Sequence, residues 1–230
     1  MRAFPLSRLQ VAFNPSILAI RTQHEHIPGF PDMTSPTPLS AQEKLDWLRL
    51  IRSDNVGPIT FFRLLERFGS AAAALDALPG LARHGGRQIK ICPKSDAERE
   101  MAMGDRLDAG LYARGESGYP PLLAHIEDPP PLLYVLGNAH LLGQDAVAVV
   151  GARNASLNGR RFAAKLCRDL GRGGLVVVSG LARGIDASAH DGALETGTVA
   201  VIAGGVDVVY PKRNAGLYGQ TKEAGGGVRA

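Results

Sequence analysis

The C-terminal part of the chain, from about Asp145 onward, predicts an α/β fold of the Rossmann type, a parallel sheet present as its first half and preceded by a small helical domain. Three observations predict it. Apolar runs of strand length recur at Ala146–Val150, Leu175–Ser179 and Thr198–Ala203. Stretches of helix length separate them, and each run ends in a glycine-bearing turn.

The N-terminal residues 1–39 are expected to be a disordered extension: Arg2, Arg8 and Arg21 stand without an acid in the first stretch, and Pro5 and Pro15 interrupt any long helix. Met33 is read as the natural start. A helical domain is expected over 40–115. Ser40 is placed to cap a helix over 41–53, where Leu45, Leu48 and Ile51 form an apolar stripe with Trp47 beside it as core. Asn55-Val-Gly-Pro58 is a tight turn, followed by a helix over 59–68 and an Ala-rich one that stops at Leu78-Pro-Gly80. These elements resemble a SAM-like or helix-hairpin-helix unit. The Gly57 turn then has two readings, a presenter of backbone N–H groups to phosphate or a structural corner, and Pro58 removes one such donor. A further helix is expected over 96–112 and a Pro-rich connecting segment over 116–144, with a short strand at 132–136 and two readings, a free linker or a stretch packed on the second domain. The truncated Rossmann-like domain takes 145–230.

Within that domain Ala146-Val-Ala-Val-Val150 has the continuous apolar character of a strand buried on both faces. Helices are predicted over 158–171 and 187–196, the second capped by Asp186. The strand–helix alternation is the βαβαβ unit of a doubly wound sheet, in which ligands bind outside the carboxyl ends of the strands. Gly151, Gly180, Gly184, Gly204 and Gly205 lie along that edge, with Arg153, Arg183, Lys212 and Arg213. Absent side chains let backbone amides approach an anion, and helix N-termini add partial positive charge. The edge therefore suits phosphate groups.

Several classes are excluded or disfavoured. Gly151-Ala-Arg-Asn154 lacks the dinucleotide fingerprint, Ser179 stands where an acidic ribose ligand belongs, and no Walker-type loop occurs, so no NAD or ATP cofactor is expected. Cys92 and Cys167 have no metal-ligand spacing, so neither a metal nor a disulfide is expected, and a reduced, cytoplasmic chain follows. No apolar run approaches the ~20 residues of a membrane span. The formal charge of +4 is compatible with a polyanionic partner without requiring one.

Taken together, Val149-Val-Gly-Ala-Arg153, Ser179-Gly-Leu-Ala-Arg-Gly-Ile-Asp186 with His190, and Gly204-Gly-Val-Asp-Val-Val-Tyr-Pro211 resemble the bacterial DNA processing protein A (DprA/Smf) family. The resemblance extends from about Leu45 to the C-terminus and includes Tyr119-Pro-Pro-Leu-Leu and Pro130-Pro-Leu-Leu-Tyr134. It implies a non-catalytic protein that binds and protects single-stranded DNA during natural transformation and helps load a RecA-type recombinase. It also places a DNA-facing pocket at Gly151, Arg153, Ser179, Gly180, Arg183 and Gly184, with Lys212 and Arg213 extending the basic track. Asp186, His190, Gly204 and Gly205 are assigned structural roles at that site. Arg160 and Arg161, cations at a helix start, are read as solvated.

Set against the family, the sequence reads as truncated after the opening of a fourth strand at Val228, without the family's homodimer surface and recombinase contact region. The third strand is accordingly expected to leave an exposed edge. The alternative function is a nucleotide-processing enzyme of the lysine-decarboxylase-like phosphoribohydrolase type, whose Pro-Gly-Gly-x-Gly-Thr-x-x-Glu signature Ala203-Gly-Gly-Val-Asp-Val-Val-Tyr210 lacks in its flanking positions.

Overall fold

The computed structural model describes residues 38–84, 89–203, 214–224 and 226–229. Helix α1 (Ala41–Ile51) opens with a capping box: Ser40 Oγ accepts from Glu43 N at 3.2 Å and Glu43 Oε2 accepts from Ser40 N at 2.8 Å. It buries Leu45, Trp47, Leu48 and Leu50, and Trp47 meets Phe61 edge-on at 4.9 Å between ring centroids. Phe61 belongs to α2 (Pro58–Phe68), which starts with proline at its first position and ends at Gly69 in the left-handed conformation. Helix α3 (Ala71–His84) continues through Pro79 and Gly80, where the sequence predicts a stop. Packing decides this: Leu75, Leu78 and Leu81 all join the core shared with α1 and α2, and burial outweighs local propensity.

Helix α4 (Lys94–Arg106) is shorter than the sequence suggests. Asp108 adopts a left-handed φ of 58°, reversing the chain so that Ala109–Ala113 forms strand β1 rather than a last helical turn. Strand β2 (Leu132–Gly137) pairs with it antiparallel. The remaining elements alternate: β3 (Ala146–Ala148), α5 (Leu157–Arg172), β4 (Val176–Ser179), α6 (Ile185–Ala193), β5 (Thr198–Val201), α7 (Ala215–Ala224) and β6 (Gly226–Arg229).

All the described strands form one sheet in the order β1-β2-β6-β5-β4-β3, parallel from β6 to β3 and antiparallel at β2. Two expectations are corrected here. The third strand of the βαβαβ unit, β5, leaves no edge, because β4 and β6 flank it and β2 closes on β6. The first, β3, lies at one edge of the described sheet, and Val150 just beyond it is 76% exposed, so this run is not buried on both faces. Its apolar run cannot distinguish a central strand from an edge strand with one covered face.

Period-two alternation sorts the strand residues between two faces. Val177 packs with Cys167, Ala189 and Ala193 under α5 and α6, while Val176 and Val199 face the opposite way. There they meet Tyr119, Leu123 and Leu141, so the Pro-rich segment read as a connector supplies both β2 and the cover of this face. Helix α5 packs on α6 and α6 on α7, so the crossover helices line one side. Among the described strands the parallel order β6-β5-β4-β3 runs without a reversal, as the first half of a Rossmann-type sheet does.

The helical part is tied to the sheet by Glu116. Its carboxylate accepts from Leu39 N and Ala113 N and pairs with Lys44 at 3.0 Å, while Lys44 Nζ also donates to Leu111 O at 2.7 Å. Among the described residues, no helix is long and apolar enough to cross a membrane. Where α6 packs on α5, a Cβ on Gly192 would collide with the Ala164 carbonyl. Gly192→Ala is therefore expected to lower the unfolding free energy by about 1–3 kcal/mol, measured by urea denaturation.

Candidate nucleic-acid interface

The strand-end turns at Gly151 and Gly184 interlock. Gly184 has φ 83° and ψ −121°, and a Cβ there would collide with Ala152 O and lie 2.7 Å from Arg153 O. Only glycine satisfies both the backbone angle and the space. Ile185 N donates to Ala152 O at 3.3 Å, and the Ile185 side chain fills the space beside Gly151, where a Cβ would be 2.7 Å from Ile185 Cγ1. Gly151 thus permits the close seating of α6 against the first turn.

Beside these turns lies a cleft of about 340 Å³ lined by Arg153, Arg160, Arg183 and Gly184, with Ser188 of α6 and Asn214 before α7 among its other walls. The arginines are exposed, and among the described residues none is in an ion pair. Three unneutralised guanidinium forks around one cavity suit an anion with several oxygens. One acid, Asp191, shares the lining.

The structure brings together Arg153, Arg183 and Gly184 of the residues singled out by sequence, and separates others. Ser179 is 3% exposed and its hydroxyl donates to Val149 O at 2.6 Å, so its proton ties β4 to the chain after β3 and does not face the cleft. Gly180 lies against the carboxylate of Asp186, whose Oδ2 would be 3.0 Å from a Cβ there. Gly204, Gly205, Lys212 and Arg213 lie outside the described residues.

Arg160, Ser188, Asp191 and Asn214 were missed by the sequence reading. For Arg160 a signal existed. It stands in the first turn of α5, where Ser156 already caps Gly159 N, and the helix field disfavours a cation at that position. A cation held against its helix dipole suits an anion bound nearby. The others gave no signal, since their convergence depends on how α6 and α7 pack.

Asp186 is not the N-cap. Helix α6 begins at Ile185 after Gly184, and Asp186 sits buried in its first turn, where the helix field favours a carboxylate. His190 is fully buried, with Nδ1 2.7 Å from Thr198 Oγ1, which itself donates to Val177 O at 2.7 Å. Thr198 has one proton, so that donation makes His190 Nδ1–H the donor to Thr198. The ring is a core fixture between α6 and β5.

At residues 55–58 the corner is pinned from within the helical part. Asp54 N donates to Lys90 O at 3.0 Å, and Ser53 Oγ accepts from Cys92 N at 3.1 Å.

Comparison with known proteins places this architecture. A profile described as DNA recombination-mediator protein A matches residues 110–228, and one described as DprA-like N-terminal HHH domain matches residues 41–102. The chain belongs to the DNA recombination-mediator protein A family. A Synechocystis protein named Smf is 31% identical over 201 residues, covering 81% of this chain and 50% of that protein. The DNA processing protein DprA of Streptococcus pneumoniae is 48% identical over 101 residues, 43% of this chain and 36% of that one. The X-ray structure of DprA from the same organism superposes with a TM-score of 0.53 at 31% identity, covering 70% of this chain and 51% of that chain. The chain thus spans about half the length of the curated relatives it matches. The family match runs through β1 and β2 as well as the parallel strands, in keeping with their shared sheet.

Burial lowers the His190 pKa from 6.5 to about 4, against the opposing influence of Asp186 and the Ser179 backbone. Because the folded value lies below the unfolded one, the stability from the neutral ring is complete above about pH 6.5 and is lost as pH falls toward 4. Between about pH 7 and 4.5 the unfolding free energy of the unsubstituted protein should fall by up to about 2–3 kcal/mol more than that of His190→Gln, read from urea melts at each pH.

Proposed function

We propose that the cleft at the carboxyl edge of the sheet binds the phosphate backbone of single-stranded DNA, as the family resemblance implies, and performs no chemistry on it. The observation that carries this reading is the convergence of Arg153, Arg160 and Arg183, none of them in an ion pair among the described residues, around one cavity beside the Gly184 turn. Guanidinium groups bond phosphate oxygens two at a time, and contacts confined to phosphate carry no sequence information, which suits a strand of any sequence. The Asp186–His190 pair offers no acid–base couple to a ligand, because the imidazole is wholly buried and its Nδ1 is committed to Thr198. Gly151 acts by admitting Ile185, and the family resemblance implies that Lys212 and Arg213, outside the described residues, belong to the same basic track. The family resemblance implies that this binding serves DNA processing in natural transformation; loading of a RecA-type recombinase and homodimer formation belong to this proposal as family roles.

Fluorescence anisotropy with a labelled single-stranded oligonucleotide at about 50 and 200 mM salt tests the reading. Arg153→Ala and Arg183→Ala should each weaken binding about tenfold at the lower salt, since each removes charge-assisted bonds to phosphate. Each should also reduce the slope of log affinity against log salt by roughly 0.7, one phosphate's share of released counterions. Unchanged binding in both variants would remove the cleft from the interface. Release of free base from nucleoside monophosphates by the purified protein would replace binding with hydrolysis as its function.

A further inference from the structure

We propose that Asn214 is a positioning residue for the phosphate cleft, holding the β4–α6 turn in the conformation that presents Arg183 and Gly184. The inference rests on the proposed binding function, and its physical core can be tested without DNA.

Leu181, two residues before Arg183, has φ 54°, a region in which a non-glycine residue is strained. Such strain persists only where the surroundings over-determine the conformation. Here two contacts do so. The leucine is 1% exposed, which fixes its side chain, and its carbonyl accepts a hydrogen bond at 3.0 Å from Asn214 Nδ2, 33 residues away in sequence. The same amide nitrogen lies 3.5 Å from Ala182 O, which also accepts from Ala187 N in the first turn of α6.

Both partners of Asn214 are carbonyls, so the NH2 end of the amide must face them; a carboxylate of the same shape would have no proton to offer. Asparagine directly before a helix ordinarily turns its oxygen to the helix's own first amides. At this position its donor end spans to a different element. Asn214 and Leu217 line the cleft together, so the hydrogen bond couples one wall of the cavity to the turn that supplies Arg183. The first turn is already locked to the second through Gly184 and Ala152. The tether thus extends one rigid unit from Arg153 through Arg183 to the start of α7.

Asn214 is half-buried and outside the hydrophobic clusters, so its substitution is compatible with folding. In the full chain without DNA, Asn214→Ala should speed amide hydrogen exchange across residues 181–185. Affinity for a labelled oligothymidylate should fall roughly three- to tenfold, the worth of one or two net hydrogen bonds. Asn214→Gln, which keeps the donor on a longer stem, should recover part of that loss. In an Arg183→Ala background, Asn214→Ala should add less than about twofold, because both changes remove the same contact. Additive losses, or an affinity unchanged by Asn214→Ala, would overturn the positioning role. If the unsubstituted chain binds no oligonucleotide, the proposed function falls, and exchange alone decides the tether: unaltered protection at 181–185 would overturn it.

Discussion

How closely the β4–α6 turn can approach the β3–α5 turn sets everything along the carboxyl edge of the sheet, and Gly184 sets that approach. Its positive φ and the Ala152–Arg153 backbone lying against it leave no room for a Cβ. From this contact follow the docking of Ile185 beside Gly151, the start of α6 and the placing of Arg153 and Arg183 around one cavity. Phosphate recognition by separate turns requires that the turns hold a fixed spacing. A backbone-to-backbone contact fixes it more stiffly than side-chain packing does.

The polar groups near the edge divide by burial. Ser179, Asp186 and His190 lie within the protein, and the bonds of Ser179 and His190 join neighbouring elements: Ser179 to Val149 and His190 to Thr198. The arginines stay in solvent with no acid paired to them among the described residues. Desolvating a guanidinium is costly, so exposed forks keep their affinity for an incoming anion, whereas buried polar groups near them stiffen the frame. Reactive-looking residues and the arginines proposed to bind phosphate therefore sit close together in sequence while differing in role.

The Pro-rich stretch after β1 has a larger part in the fold than its composition suggests. Tyr119 donates its hydroxyl to Pro130 O at 2.7 Å and packs with Leu133, Leu141, Val176 and Val199, covering the sheet face opposite the crossover helices. Strand β2 joins this cover to the parallel strands through β6. With Glu116 bound to Leu39, Lys44 and Ala113, the helical part and the sheet share one continuous set of contacts.

Sequence by itself determined the alternation of strands and helices from 146 to 229, the Ser40 cap, Trp47 as core and the grouping of Arg153, Arg183 and Gly184, because period, capping chemistry and glycine placement are local properties. Only the tertiary structure decided that β3 lies at an edge, since an apolar run reads alike whether one face or two are covered. Helix α3 passed Pro79 and α4 stopped at Asp108 for similar reasons, burial in the first case and a left-handed turn leading into β1 in the second. Within the site, Ser179 and Gly151 carried the right residue types for phosphate, yet one hydroxyl was already committed to Val149 and the glycine admits Ile185. Arg160 and Asn214 entered the cleft through the packing of α5, α6 and α7, which brings together residues that no spacing along the chain connects.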